Sequence, residues 1–153
     1  MAYIQTKSGV KVLLDPEDKA AIERFGFSIW IMKRGGYPAV TIDGKNIPLH
    51  GLLVRRAGGK VVDHINRNPL DNRRANLRLC FQYQNTWNGG AHKDSKSGVR
   101  GVCKKGNKWT AYISKHVARG GKQITLGYFS SFEEAVAARK AAEKKFYKLF
   151  APV

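Results

Sequence analysis

VVDHINRNPLDNRRANLRLCFQYQNTWN, residues 61–88, is the stretch that decides the fold of this chain. One short apolar run leads into Asp63 and His64, and a second run follows Asn76. The residues between them are mostly Asn, Arg, Asp and Pro, which favour turns and self-bonded backbone over regular structure. The stretch therefore predicts a strand, a long loop, a second strand and a short helix that carries Asn85.

Asp63, His64 and Asn85 bring together the groups needed for metal-assisted hydrolysis. An Asp carboxylate and an Asn amide oxygen are hard ligands that suit Mg²⁺, and Mn²⁺ fits nearly as well. A neutral histidine can take a proton from water near neutral pH. Neighbouring residues of a strand point to opposite faces, so Asp63 and His64 can serve one centre only if the strand ends or bends there.

The composition points to a polyanionic partner. Lys and Arg total 28 against 11 Asp and Glu, which gives a formal net charge of +17. Nucleic acid is the first candidate. An anionic membrane is disfavoured, because the sequence has neither a long apolar span nor a basic amphipathic helix with bulky anchors. The first residues lack the pattern of a signal peptide, so we expect a cytoplasmic protein with both cysteines reduced.

The sequence divides into four parts. Residues 1–49 predict a small α+β lead-in of structural role, with a strand at 10–14, a helix at 16–25 and a hairpin turn at Asp43-Gly44. Residues 50–88 form the predicted catalytic unit. Residues 89–97, rich in Gly, Ser and charge, are the predicted linker, and residues 98–150 are the predicted DNA-binding domain.

The last part is strongly basic. No acidic residue occurs between Asp94 and Glu133, and three β-like runs lie in that interval: GVRGVCK, KWTAYIS and KQITLGYF. Predicted turns join them at Gly106-Asn107 and Gly120-Gly121. A helix follows, in which a serine N-cap and a Glu three residues later form a capping box. We expect a three-stranded antiparallel sheet packed on one helix, with Trp109 beneath the helix and basic residues on the open face.

The segments HGLL, VVDHINRNPLDNRRANLRLC and QNTWN resemble the HNH endonucleases of the His-Me finger class, in the His-Asn-Asn variant of phage homing endonucleases. The resemblance implies a ββα-metal fold in which Asp63 and Asn85 hold one divalent ion. It implies His64 as general base and Asn76 as the residue that ties down the loop by backbone hydrogen bonds. His50 precedes Gly51, where the family carries Arg, so a phosphate contact and a structural role for His50 both stay open.

The segments SGVRGVCKK, KWTAYIS and ITLGYFSSFEEAVAARKAAEKKF resemble the APETALA and ethylene-response-factor type of DNA-binding domain. The resemblance implies a sheet in the major groove and Arg100 in contact with a base or phosphate. Cys103, Ser114 and Thr125 replace contact residues of that family, so no target sequence is implied. For the arginines near the catalytic centre, a solvated basic loop is the alternative. The predicted DNA-binding residues are Arg73, Arg74, Arg78, Arg100, Lys104, Lys105, Lys108, Lys115 and Lys122.

Together these features predict a site-specific endonuclease of the homing type that hydrolyses a phosphodiester bond of duplex DNA, in the cytoplasm of a phage-infected bacterium. A single metal centre acts on one strand at a time, so we expect a monomer that nicks DNA. Cleavage of both strands by a dimer is the alternative. A sequence-specific DNA-binding regulator with a non-catalytic HNH scaffold is the first alternative. An RNA-binding accessory protein, which rests on charge alone, is the second.

Overall fold

Antiparallel β-strands and short helices alternate along the chain, which confirms the predicted α+β class. A computed structural model describes residues 2–117 and 120–152, with only the backbone described for residues 116, 117 and 120. The strands are β1 (Ala2–Gln5), β2 (Lys11–Leu14), β3 (Trp30–Ile31), β4 (Pro38–Ile42), β5 (Lys45–Pro48), β6 (Val61–His64), β7 (Leu77–Cys80), β8 (Val102–Lys105), β9 (Lys108–Val117) and β10 (Gly120–Phe129). The helices are α1 (Pro16–Arg24), α2 (Leu49–Leu53), α3 (Gln82–Asn88) and α4 (Phe132–Tyr147), with 3₁₀ turns at Arg74–Asn76 and Lys148–Phe150.

The chain divides into two units, Met1–Gln82 and Tyr83–Val153. The first unit contains the β1-β2 hairpin, the β3-β4-β5 sheet and the β6-β7 hairpin. Its core packs apolar residues of β2, α1, β4 and α2, among them Val12, Ile22 and Val40. The predicted hairpin at Asp43-Gly44 is confirmed, because both residues have the positive φ that a tight hairpin turn requires.

Strand β2 anchors the long loop between β6 and β7. The backbone N–H of Leu13 donates to the Leu70 carbonyl at 2.8 Å, and the N–H of Asn72 donates to the Leu13 carbonyl at 2.9 Å. Leu13 and Asp71 form a parallel bridge at the same place. β2 is part of the buried core, so these bonds fix the middle of an otherwise irregular loop.

The second unit contains a three-stranded antiparallel sheet, in the order β10-β9-β8, with α4 packed on one face. The capping box is formed by Ser131 and Glu134, as predicted. Trp109 contacts Phe132 of α4 at 4.9 Å between ring centroids, which confirms its predicted place beneath the helix. Gly101 has positive φ, and a Cβ there would lie 2.5 Å from the Tyr112 carbonyl oxygen, so only glycine fits.

Two details of the basic sheet differ from the prediction. Gly120 and Gly121 lie within β10, opposite Val117 and His116, and do not form the predicted turn. The basic residues do not all lie on the open face, because the Lys115 ammonium lies 5.6 Å from the ring centroid of Phe146 on α4. Side chains alternate strictly along a strand, so a lysine two residues after the buried Ile113 points to the helix side.

Helix α3, apart from its first residue, packs within the second unit. The Trp87 ring stacks on Tyr147, with centroids 4.5 Å apart and planes 9° from parallel. The Arg100 guanidinium donates to the carbonyl oxygens of Thr86 and Gly89 at the end of the helix. These contacts cap carbonyl groups that a helix terminus leaves without intrahelical partners. Across the described ranges, none of the helices is long and apolar enough to pass through a bilayer.

Candidate active site on the β6-β7 hairpin

Asp63 and His64 lie at the end of strand β6, where the long loop begins. Both are buried, with 6% and 5% of their surface exposed. Asp63 faces Arg78 across the hairpin, and its Oδ2 accepts from Arg78 Nε at 2.8 Å and lies 2.7 Å from Nη2. The strand ends at His64, which meets the condition under which both side chains can serve one centre.

Asn72 orients the imidazole of His64. Its Oδ1 lies 3.3 Å from His64 Nε2, and its Nδ2 donates to the Pro69 carbonyl at 2.9 Å. Asn72 is completely buried, and its backbone is bonded to β2. Because an amide oxygen accepts, Nε2 carries the proton in this arrangement and the ring lone pair lies on Nδ1. Asn72 was not among the predicted site residues, although it stands in the Asn-rich stretch that was predicted to form the long loop.

Asn76 closes the loop on itself, as predicted. Its Oδ1 accepts from the backbone N–H of Asn66 at 3.0 Å, and its Nδ2 donates to the Asp71 carbonyl at 2.8 Å. A second bond from Nδ2 reaches Asn66 Oδ1 at 3.0 Å. Asn76 is buried, so these bonds replace the water that a loop backbone would otherwise need.

The rings of Tyr37 and His50 contact the ring of His64 and each other. His50 of α2 lies edge-on to His64, with centroids 5.3 Å apart and planes at 86°. Tyr37 contacts both rings, with its centroid 5.3 Å from that of His50 and 6.0 Å from that of His64. His50 is buried, and its Nδ1 has no hydrogen-bond partner within the described ranges. Gly51 stands where the family that the sequence resembles carries Arg. The guanidinium of Arg56 lies over Gly51.

Both histidines of this cluster are held in the neutral form. Burial is the main cause that lowers the pKa of His64 below its ordinary value, while Asn72, Asp63 and Asp71 act in the opposite direction. Burial, His64 and then Arg56 lower the pKa of His50 to about 4. At neutral pH the His64 ring can therefore accept a proton.

The three arginines predicted to bind DNA near the centre are engaged with carboxylates of the chain itself. Arg73 donates through Nε and Nη2 to Asp71, both at 2.7 Å. Arg74 donates to the buried Asp18 of α1 at 2.9 and 2.7 Å. Arg78 pairs with Asp63 as described above. The structure gives all three a structural role, and their contact with DNA stays a prediction.

The predicted DNA-binding residues of the second unit are divided between the two faces of the sheet. Lys105 and Lys108 face each other at the end of the β8-β9 hairpin, and strand alternation places them on the open face. Alternation places the other three lysines on the helix side, where they remain exposed at the surface: Lys104, Lys115 and Lys122. Arg100 is bonded to α3. The contact of these residues with DNA stays a prediction.

Asn85, the predicted second metal ligand, lies on α3 and is partly buried. It belongs to the second unit, whereas Asp63 and His64 belong to the first. The structure places Asp63, His64 and Asn76 in one hairpin and loop, and the pairing of Asp63 with Asn85 stays a prediction. The chemistry of the donor set fits Mg²⁺, because one carboxylate and one amide oxygen leave places for water and phosphate oxygens. Among the described residues, no group of three or more His, Cys, Asp or Glu side chains is arranged so that it could hold a metal ion.

Residues 28–86 match the family model of the HNH endonucleases. An uncharacterised HNH endonuclease of Acanthamoeba polyphaga mimivirus is 34% identical over 93 residues, which cover 57% of this chain and 48% of that protein. Protein 3.8 of Escherichia phage T7 is 41% identical over 44 residues, covering 29% of this chain and 36% of that protein. No solved structure matches the chain.

The alignments span less than half of each of these two relatives. The matched segment includes every residue of the predicted centre, from His50 through Asp63, His64 and Asn76 to Asn85. The hairpin, the buried His64 and the loop tied by Asn76 all lie within it. Residues 28–86 of this chain are therefore similar to the HNH endonucleases.

Proposed function

We propose that the chain is a metal-dependent endonuclease that hydrolyses a phosphodiester bond of duplex DNA at a specific site and nicks one strand as a monomer. One observation carries the proposal: His64 is buried, neutral and oriented by Asn72 at the end of β6, directly after Asp63. This arrangement lies within the segment that matches the HNH endonucleases. A histidine held in one tautomer by a buried amide is suited to general-base catalysis.

In the proposed reaction, His64 removes the proton from the attacking water. The proton goes to Nδ1, since Nε2 carries hydrogen toward Asn72 Oδ1. The hydrogen bond with Asn72 and the negative charges of Asp63 and Asp71 favour the protonated ring once it forms. These contacts offset part of the effect of burial, so His64 can take up the proton and later release it.

Asp63 and Asn85 would hold the divalent ion. When bound, such an ion supplies positive charge that stabilises the developing charge on the phosphate and the leaving oxygen. Arg78 pairs with the Asp63 carboxylate, at 2.7 Å. We infer that Asp63 changes partner, from a guanidinium to the metal, when the centre is loaded. Mg²⁺ is the proposed ion, and Mn²⁺ would substitute for it.

The proposal assigns DNA binding mainly to the second unit. Its stretch between Asp94 and Glu133 has no acidic residue, and the whole chain carries a formal charge of +17. Lys105 and Lys108 lie on the open face of the sheet, together with Tyr128, which is 59% exposed. A basic face with an exposed aromatic side chain can bind phosphates and pack on sugar or base surfaces. We propose that this domain resembles the ethylene-response-factor type in its use of the sheet.

A supercoiled plasmid library, incubated with the full chain in Mg²⁺ and in EDTA, tests the proposal. We expect relaxed circles in Mg²⁺ and intact supercoils in EDTA. Linear product at early times would indicate double-strand cutting and would overturn the nicking part. Binding to DNA without any cleavage in Mg²⁺ or Mn²⁺ would favour a DNA-binding regulator. Stronger competition by double-stranded RNA than by DNA would favour the RNA-binding alternative.

A further inference from the structure

Arg56 places a guanidinium near His50, whose ring contacts His64. It lies in the connection between α2 and β6, and its side chain folds over Gly51 of α2. A Cβ built on Gly51 would lie 3.7 Å from Arg56 Nη2 and 4.0 Å from Nε. Gly51 directly follows His50, so the fork of Arg56 lies next to the residue whose ring contacts His64.

Arg56 differs in its pairing from three arginines of the long loop and strand β7. Arg73, Arg74 and Arg78 each hold a carboxylate at 2.7 Å. Within the ranges that the structure describes, no ion pair engages Arg56. Its side chain is exposed. An exposed guanidinium without a carboxylate keeps its donors for an anion that approaches from solvent, and its planar fork suits two phosphate oxygens.

Arg56 supplies a permanent positive charge close to His50. Among the groups whose charge acts on His50, Arg56 is the permanent cation. The Asp63 carboxylate, by contrast, is matched by Arg78. A phosphate that approaches His64 from the side of His50 therefore meets the field of Arg56. Such a field stabilises negative charge most where water is partly excluded.

We propose that Arg56 binds a phosphate oxygen of DNA next to His64 and is a catalytic residue of this centre. The proposal rests on the nuclease function proposed above. It extends that function with a contact that fixes the phosphate between the guanidinium and the base. The ring of Tyr37, which contacts both histidines, forms the third side of the same cluster.

Arg56→Gln, Arg56→Lys and the matched control Arg55→Gln test the proposal in the full chain. Cleavage of supercoiled plasmid is followed with Mn²⁺ and saturating protein, so that the rate reports the chemical step. A lost charge-assisted bond predicts that Arg56→Gln cuts roughly 10- to 100-fold more slowly. Arg56→Lys should be intermediate because it keeps the charge without the fork. Arg55→Gln, an exposed change one residue away, should stay within about twofold of the wild type.

Equal saturated rates for Arg56→Gln and Arg55→Gln would overturn the proposal. A wild-type chain that does not cut at all would instead overturn the nuclease function, and a second measurement then decides on Arg56. In that measurement, inorganic phosphate is titrated into the ¹⁵N-labelled protein. The Nε–Hε signal of Arg56, identified by its loss in Arg56→Gln, should move. A signal that does not move up to high phosphate concentration would also overturn the proposal.

Discussion

Asp63 and Arg78 face each other across the β6-β7 hairpin and form an ion pair of a buried carboxylate with a partly buried guanidinium, with Nη2 and Oδ2 2.7 Å apart. The predicted metal ligand thus has a cationic partner on the facing strand of its own hairpin. Removal of one member of a buried pair leaves an uncompensated charge. The pair therefore links the stability of the hairpin to the chemistry of the centre.

Arg78→Gln should lower the free energy of unfolding by about 3 kcal/mol in EDTA, the range for a broken buried pair. Urea denaturation gives this value. Added Mg²⁺ should restore part of the loss, because the ion would take over the Asp63 charge. Lys19→Gln is the control. It removes an exposed pair with Glu23 at 3.2 Å, and such pairs contribute about 0.5 kcal/mol. Unchanged stability of Arg78→Gln in EDTA would contradict the structural role of the pair.

Asn76→Ala should loosen the long loop. The change leaves the Asn66 N–H and the Asp71 carbonyl without their partner, each a loss of about 1–3 kcal/mol if the group remains buried. Hydrogen exchange at the Asn66 amide should speed up strongly. Asn68→Ala removes an exposed acceptor of the Leu70 N–H and serves as the control. Slow exchange at Asn66 in the Asn76 variant would show that another group ties the loop.

The stability of the protein should fall as the pH drops from about 6.5 to about 4, in part because of His50. The unfolded chain protonates His50 near its ordinary pKa of about 6.5, whereas the folded chain does so at a pKa of about 4. Between these values the unfolded state binds more protons, so acid favours unfolding, by up to roughly 3 kcal/mol.

Urea denaturation across this pH range measures the loss, and an NMR titration of the imidazole signals assigns it. His50→Phe keeps a ring in the cluster and should remove this share of the pH dependence. His92→Gln, a change at an exposed histidine, should leave it intact. A His50 signal that titrates above pH 6 would contradict the burial argument.

Salt dependence should separate the two faces of the basic sheet. Lys105 and Lys108 lie on the open face, so their joint replacement by Gln should reduce the slope of log affinity against log salt by about 2. The same change at Lys115 and Lys122, which point to the helix side, should alter the slope little. Fluorescence anisotropy with a labelled duplex gives both slopes. A larger effect of the second pair would place DNA on the other side of the sheet.

Local patterns predicted much of the fold. The hairpin on either side of the Asn-rich loop, the turn at Asp43-Gly44 and the capping box of Ser131 depend on residues close in sequence, and all three are present. β1 was not predicted; the structure pairs it with β2 in an antiparallel hairpin. Gly120 and Gly121 signal a turn locally, yet pairing with β9 draws both into β10.

The contacts that shape the site were harder to foresee, because their partners lie far apart in sequence. Arg74 pairs with Asp18 of α1, and the Asn72 backbone is bonded to Leu13 of β2. Neither link leaves a periodic or short-range signature. From the sequence alone, the Asn-rich loop offers several side chains that could bond to His64. The long-range links fix the loop, and only then is Asn72 identified as the residue that orients His64.

Cleavage by His64→Ala, compared with the wild type at equal occupancy of the DNA, is the most direct test of the central claim. Occupancy is set by anisotropy, and nicking of the bound plasmid is then followed in Mg²⁺. Loss of a general base predicts a rate lower by roughly 100- to 10,000-fold, while the affinity for DNA stays within about threefold. Cleavage by His64→Ala at the wild-type rate would contradict His64 as the base and, with it, this account of the centre.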